Sequence, residues 1–149
     1  MAEINLTQSE ANLLISMEKH RVDETKWEYP GLGGAICIPL TSANKRENFL
    51  LDMSRGRINL LKGKYQNRSR NVIVLVRLCF GGPPHHNPDG QDVIPPHLHV
   101  YHEGFGDKWA IEVPPDKFGN PADLWQTLHD FMEFCNIVEP PIIERGLFI

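Results

Sequence analysis

Between Pro84 and Glu103 the chain carries five of its seven histidines. The end of that stretch, Pro96-His97-Leu98-His99-Val100-Tyr101-His102-Glu103, alternates as a β-strand does. A strand sends successive side chains to opposite faces. His97, His99, Tyr101 and Glu103 are therefore expected on one face, with Leu98, Val100 and His102 on the other. Two imidazoles, a phenol and a carboxylate in one row make a metal site or an acid/base site. His85 and His86 precede the row, on a loop whose path the sequence does not set.

The row supports three readings. As a metal site, imidazole suits zinc, iron, nickel or copper, and one carboxylate completes a facial set. His97-x-His99-x3-Glu103 resembles the first half of the cupin metal-binding motif. Downstream, the glycine and the second histidine half of that motif are missing. As an acid/base site needing no cofactor, two imidazoles can divide the work of cleaving an RNA phosphodiester. One takes the 2′-hydroxyl proton and the other protonates the departing 5′-oxygen, because imidazole titrates near working pH. Tyr101 and Glu103 would orient the rings. As a plain strand with one wet face, the row does no chemistry, and the protein is an interaction module for a protein partner.

Charge favours the second reading. From Arg55 to Arg77 lie Arg55, Arg57, Lys62, Lys64, Arg68, Arg70 and Arg77, with no Asp or Glu among them. The other eight basic residues face all nineteen acids, and the whole chain carries −4. A basic block inside an acidic protein suggests a local anion-binding surface. Arg55, Arg57, Lys62, Lys64, Arg68 and Arg70 are candidates for holding RNA phosphates, and Tyr65 for stacking on a base or donating a hydroxyl. Arg77 is expected to share a strand face with Ile73, Leu75 and Cys79, an odd place for a charge without a partner. It is the candidate donor to a developing phosphorane.

The elements that must position these residues have clear signals. Thr7-Gln8-Ser9-Glu10 is a capping box, predicting a helix that ends near His20 or Arg21 with a stripe of Leu13, Leu14 and Met17. Strands are expected at Ala35–Leu40, with Pro39 at an edge, then at Asn48–Ser54, Arg57–Leu61 and Asn71–Phe80. The last of these is apolar on both faces and so central. Gly81 to Pro96 reads as a long loop, and loops of that length in a compact domain tend to be functional. Gly104 to Asp107 turns the histidine strand back into Lys108–Val113. A second helix is expected with Asn120 as its cap and Pro121 at its first position, presenting Leu124, Trp125, Leu128, Phe131, Met132 and Cys135 on one wide apolar face. The apolar tail Ile142 to Ile149 can dock on the body or on a partner. The class is α+β: one domain, residues 1–149, with a curved, mostly antiparallel sheet of five or six strands between an N-terminal and a C-terminal helix.

Length and composition agree with one soluble domain, at 149 residues and 41% hydrophobic content. No apolar run is long enough to span a membrane. Met1 to Thr7 lacks the basic and apolar regions of a secretory signal, and Cys37, Cys79 and Cys135 are odd in number and widely spaced. Free thiols in a cytoplasmic setting are expected. Oligomeric state has no signature.

Taken together, Leu6-Thr-Gln-Ser-Glu-Ala11, Phe49-Leu-Leu-Asp52, Ser54-Arg-Gly-Arg-Ile58, Lys64-Tyr-Gln-Asn-Arg68, Pro96-His-Leu-His99 and Asp107-Lys-Trp-Ala-Ile111 resemble a family of bacterial, often mobile-element-associated proteins of this length. That resemblance implies one domain and a prokaryotic cytosolic setting, and assigns no catalytic residue. A looser similarity to small toxin and anti-defence proteins points the same way, by size and setting only.

Overall fold

The computed structural model describes residues 5–59 and 61–146. Its first helix, α1 (Gln8–Ser16), starts where the capping box lies. The Thr7 hydroxyl accepts the Glu10 amide, and the Glu10 carboxylate accepts the Thr7 amide. It stops at Ser16 rather than near His20, and it buries Ala11 and Leu14 while Leu13 stays exposed. The early stop is explained by Lys19. Its side chain is fully buried, and its ammonium donates to the carbonyls of Ile15, Met17 and Cys135 at 2.9, 3.0 and 2.7 Å. Those carbonyls lie at the C-terminal ends of both helices, where backbone acceptors lack intrahelical partners and favour a cation. Burial pushes the Lys19 ammonium down to about 8.

The strands then follow in chain order: β1 (Lys19–Arg21), β2 (Lys26–Glu28), β3 (Ala35–Ser42), β4 (Asn48–Arg55), β5 (Gly63–Ser69), β6 (Ile73–Phe80), β7 (His85–His86), β8 (Asp92–Val93), β9 (His97–Val100) and β10 (Ala110–Glu112). After α2 (Leu124–Phe134) come β11 (Ile137–Glu139) and β12 (Ile142–Glu144). The main sheet has eight strands in the order β10-β9-β6-β5-β4-β3-β1-β11, antiparallel except for the β1–β11 pair. This exceeds the five or six expected because β1 and β11 have three residues each, too few to show a period. β12 pairs with β2, so Ile142–Glu144 of the apolar tail docks on the body; residues 147–149 lie outside the described residues.

Three local expectations are corrected. Arg57 to Asn59 is a turn, with Lys62 donating its amide to the Asn59 carbonyl, and the strand begins at Gly63. β3 is an interior strand at Leu40–Ser42, where it pairs with β1, and Pro39 sits just beyond that pairing, where no amide is needed. The cap of α2 is Asp123, which accepts the Gln126 amide; Asn120 belongs to the preceding turn. Leu128, Phe131, Met132 and Cys135 are buried as their spacing requires.

The sheet has one apolar and one polar face. Leu51, Met53, Tyr65, Leu78 and Leu98 point into the core beneath α2. On the other face, cross-strand register builds two adjacent rows. One reads Ala35, Ser54, Lys64, Cys79, His97 and Glu112; the other reads Cys37, Asp52, Gln66, Arg77, His99 and Ala110. A bulge sharpens this division. Asn67 pairs with Val76 but Arg68 pairs with Val74, leaving Leu75 as the extra residue. Arg77 therefore shares its face with Cys79 and not with Ile73 or Leu75. Among the described residues no helix is long and apolar enough to cross a membrane.

Candidate active site

The two rows meet under the loop that follows β6. Gly81 lets that loop leave close to the turn before β5: a Cβ there would lie 2.8 Å from the Leu61 oxygen and the Lys62 Cα, and its φ is +68°. The loop is not structureless. It folds into the β7–β8 hairpin, and the Asn87 amide pins it to the edge strand β10. Asn87 donates to the Ala110 carbonyl and accepts the Ala110 amide, both at 2.9 Å, completing that residue's backbone bonds as a neighbouring strand would. His85 is thereby carried over the histidine row. Its ring centroid lies 4.5 Å from that of His99 and 5.7 Å from that of His97. His86 points away, exposed and paired with Asp92.

Beneath this cover is a cavity of about 540 Å³, lined by Arg55, Lys62, Lys64, Arg77, Cys79 and the three imidazoles of His85, His97 and His99. Among the described residues no acidic one lines it. His97 and His99 are almost wholly buried, at 4% and 1% exposure, although their strand lies next to the sheet edge. Cys79 and His97 are direct cross-strand partners, as are Arg77 and His99. The Cys79 sulfur and one nitrogen from each of His97 and His99 lie within 4.8 Å of one another.

Asp107, in the turn after β9, orders the second row. Its carboxylate pairs with the Arg77 guanidinium, and its backbone carbonyl lies 2.7 Å from His99 Nδ1. A carbonyl only accepts, so Nδ1 carries the proton and the neutral ring keeps its lone pair on Nε2. The Arg77 Nη2 atom, 3.5 Å from the same Nδ1, is then a neighbour and not a donor to it. Burial, and then Arg77, lower His99 to about 4. Burial, with His85 and Arg77, also lowers His97. Its Nδ1 has no well-aligned hydrogen bond, although the Val93 and Ile94 carbonyls favour its protonation. Both rings are thus neutral near pH 7.

Such shifts couple to folding. Between pH 6.5 and about 4 the unfolded chain protonates His99 while the folded chain does not. Stability is therefore fully present above pH 6.5 and falls as the pH drops toward 4, by at most ~3 kcal/mol for this ring. Denaturant midpoints measured across that window are expected to fall less steeply for His99→Gln than for the wild type; parallel curves would contradict the assignment.

Several expected site residues lie elsewhere. The Tyr101 hydroxyl accepts the Leu6 amide at 2.7 Å and donates to the Leu6 carbonyl at 3.2 Å. Glu103 accepts the Gln8 amide at 3.0 Å. Both fasten the start of α1, because β9 ends at Val100 and its alternation does not reach them. Among the described residues the grouped metal-ligating donors are Cys79, His97 and His99, without Glu103. Tyr65 is fully buried on the core face and does not line the cavity. Arg68 is held by Asp52 at 2.6 and 2.9 Å, Arg70 by Glu47 at 2.9 Å, and Arg57 is exposed outside the cavity. The cavity keeps Arg55, Lys62, Lys64, Arg77, His97 and His99 of the expected set and adds Cys79 and His85, while Asp107 holds Arg77 and His99 without lining it. Cys79 was findable: it stands two residues from Arg77 on one strand. Only the β6–β9 register shows that it faces His97.

No curated protein and no solved structure gives a significant match to this chain. A family model does, over residues 6–137, which run from the capped helix through the whole cavity to the start of β11. The chain belongs to the Family of unknown function (DUF6978).

Proposed function

We propose that the cavity binds the phosphodiester of single-stranded RNA and that the protein cleaves it. The observation that carries this reading is the lining itself: Arg55, Lys62, Lys64 and Arg77 stand around three imidazoles with no acid among them. Lys62 and Lys64 are exposed and form no ion pair among the described residues. Cations without carboxylate partners in a concave site attract phosphate, and their field strengthens as water is excluded. A duplex is too wide to enter a cavity of about 540 Å³, whereas one strand can place a phosphate there.

Two neutral imidazoles cannot divide acid and base duties, since the acid must begin as imidazolium. The histidine end of the cavity instead takes the proton of the attacking 2′-hydroxyl. Its oxygen bonds to phosphorus, the bond from phosphorus to the 5′-oxygen breaks, and the same proton passes to the leaving oxygen. The products are a 2′,3′-cyclic phosphate and a 5′-hydroxyl. Lys62, Lys64 and Arg77 offset the charge that builds on the phosphorane. A cytoplasmic ribonuclease that limits growth and travels on bacterial mobile elements belongs to the same proposal.

Salt dependence tests the phosphate contacts. Each neutralised phosphate of a single strand contributes about −0.7 to the slope of log K against log salt. Fluorescence anisotropy with a labelled oligoribonucleotide is expected to give a negative slope that Lys62→Ser with Lys64→Ser flattens by about 1.4. A slope unchanged by the double substitution would contradict phosphate binding in the cavity.

A further inference from the structure

We infer that Cys79, His97 and His99 form a zinc(II) site whose fourth position opens to the cavity. Cys79 and His97 are paired across β6 and β9, and His99 follows two residues on, so backbone register alone brings the three together. Their donor atoms already lie within 4.8 Å of one another. Tetrahedral zinc, with Zn–S of about 2.3 Å and Zn–N of about 2.0 Å, needs donors roughly 3.5 Å apart. Side-chain rotation can close that gap without moving a strand.

The surroundings match what a ligating histidine needs. A metal-bound imidazole usually gives its other N–H to a carbonyl or carboxylate, which fixes the ring and aims the lone pair. His99 does this with the Asp107 carbonyl, and His85 has the same arrangement with the Lys108 carbonyl at 2.6 Å. His97, buried likewise, has the Val93 and Ile94 carbonyls beside its ring to take one N–H, which leaves its other nitrogen for the ion. The positive neighbours do not forbid a cation. Asp107 neutralises Arg77, and the Cys79 thiol contributes a negative charge on binding, as zinc displaces its proton.

Ligand chemistry narrows the choice of ion. One thiolate with two imidazoles and no carboxylate suits zinc and excludes magnesium or calcium, which take oxygen. Three protein ligands facing an open cavity is the pattern of catalytic and not structural zinc. His85 stands beside that open position. Water bound there loses its proton near pH 7 and supplies the group that accepts the 2′-hydroxyl proton. This role rests on the RNA reading; the ligand set does not.

The test uses full-length protein stripped with chelator, desalted and titrated with zinc by calorimetry in the absence of RNA. One ion per chain is expected. Cys79→Ser and His99→Gln should each weaken binding by more than the roughly 10–100-fold that losing an outer-shell partner costs. Cys37→Ser, at the exposed thiol, should bind as the wild type does. Cobalt(II) should give a thiolate charge-transfer band that Cys79→Ser abolishes, with circular dichroism confirming that each variant is folded. A folded wild type that takes no zinc, a Cys79→Ser protein that binds unchanged, or uptake of copper alone overturns the assignment. A zinc failure leaves RNA binding standing, whereas zinc uptake by a protein that ignores RNA overturns only the RNA reading.

Discussion

Tyr65→Ala is expected to cost about 3–5 kcal/mol of folding stability, the range for removing a large aromatic side chain from a core. Tyr65 is completely buried between Phe80 and Phe131, with ring centroids at 4.9 and 6.0 Å. Its hydroxyl joins that of Tyr29 and donates to the Leu124 carbonyl at 2.9 Å, which ties the sheet to the first turn of α2. Tyr65→Phe keeps the packing but leaves the buried Tyr29 hydroxyl without its partner, at a cost of roughly 1–3 kcal/mol. Urea denaturation followed by circular dichroism reads both effects. The folded Tyr65→Phe protein should bind RNA as the wild type does. Weakened RNA binding with unchanged stability would return Tyr65 to the site and contradict its place in the core.

That residue illustrates what a sequence can and cannot convey. The alternation of β9 correctly put His97 and His99 on one face and Leu98 on the other, because a strand's period is local. The same alternation failed at Tyr101 and Glu103, because the strand ends at Val100 and nothing in the local pattern marks that end. Both helix starts were legible to within a few residues, since capping is written in the first turn. The stop of α1 was not, since it depends on Lys19 reaching carbonyls that include one from Cys135, far along the chain.

The basic block illustrates a different limit. Seven positive charges without an acid looked like one surface. Arg68 and Arg70 proved to be partnered by Asp52 and Glu47, which lie on or beside β4, earlier in the sequence. Lys64 remained available because its neighbours across the sheet are Ser54 and Cys79. Lys62 did so because it lies in the turn before β5, bonded among the described residues only through its backbone, to Gly56 and Asn59. Pairing partners are set by register, and register is a property of the whole sheet. The path of the loop after β6 was hidden for the same reason. It is fixed by Asn87 on Ala110 and by His85 on Lys108, contacts that only the folded sheet creates.

The central claim is that the histidine end of this cavity acts on RNA, and His99 is its most deeply buried member. His99→Ala is expected to lower the cleavage rate by about 10²–10⁴, the range for losing a positioned proton-transfer group. The same loss is expected whether His99 accepts the proton or holds an ion whose bound hydroxide would, and circular dichroism must first show that the variant is folded. The decisive measurement is incubation of purified wild-type and His99→Ala protein with an end-labelled single-stranded RNA and its all-deoxy counterpart. The account predicts 2′,3′-cyclic phosphate products from RNA with the wild type only, and an intact deoxy strand with both. No RNA cleavage by the wild type, or equal cleavage by the folded His99→Ala protein, would contradict it.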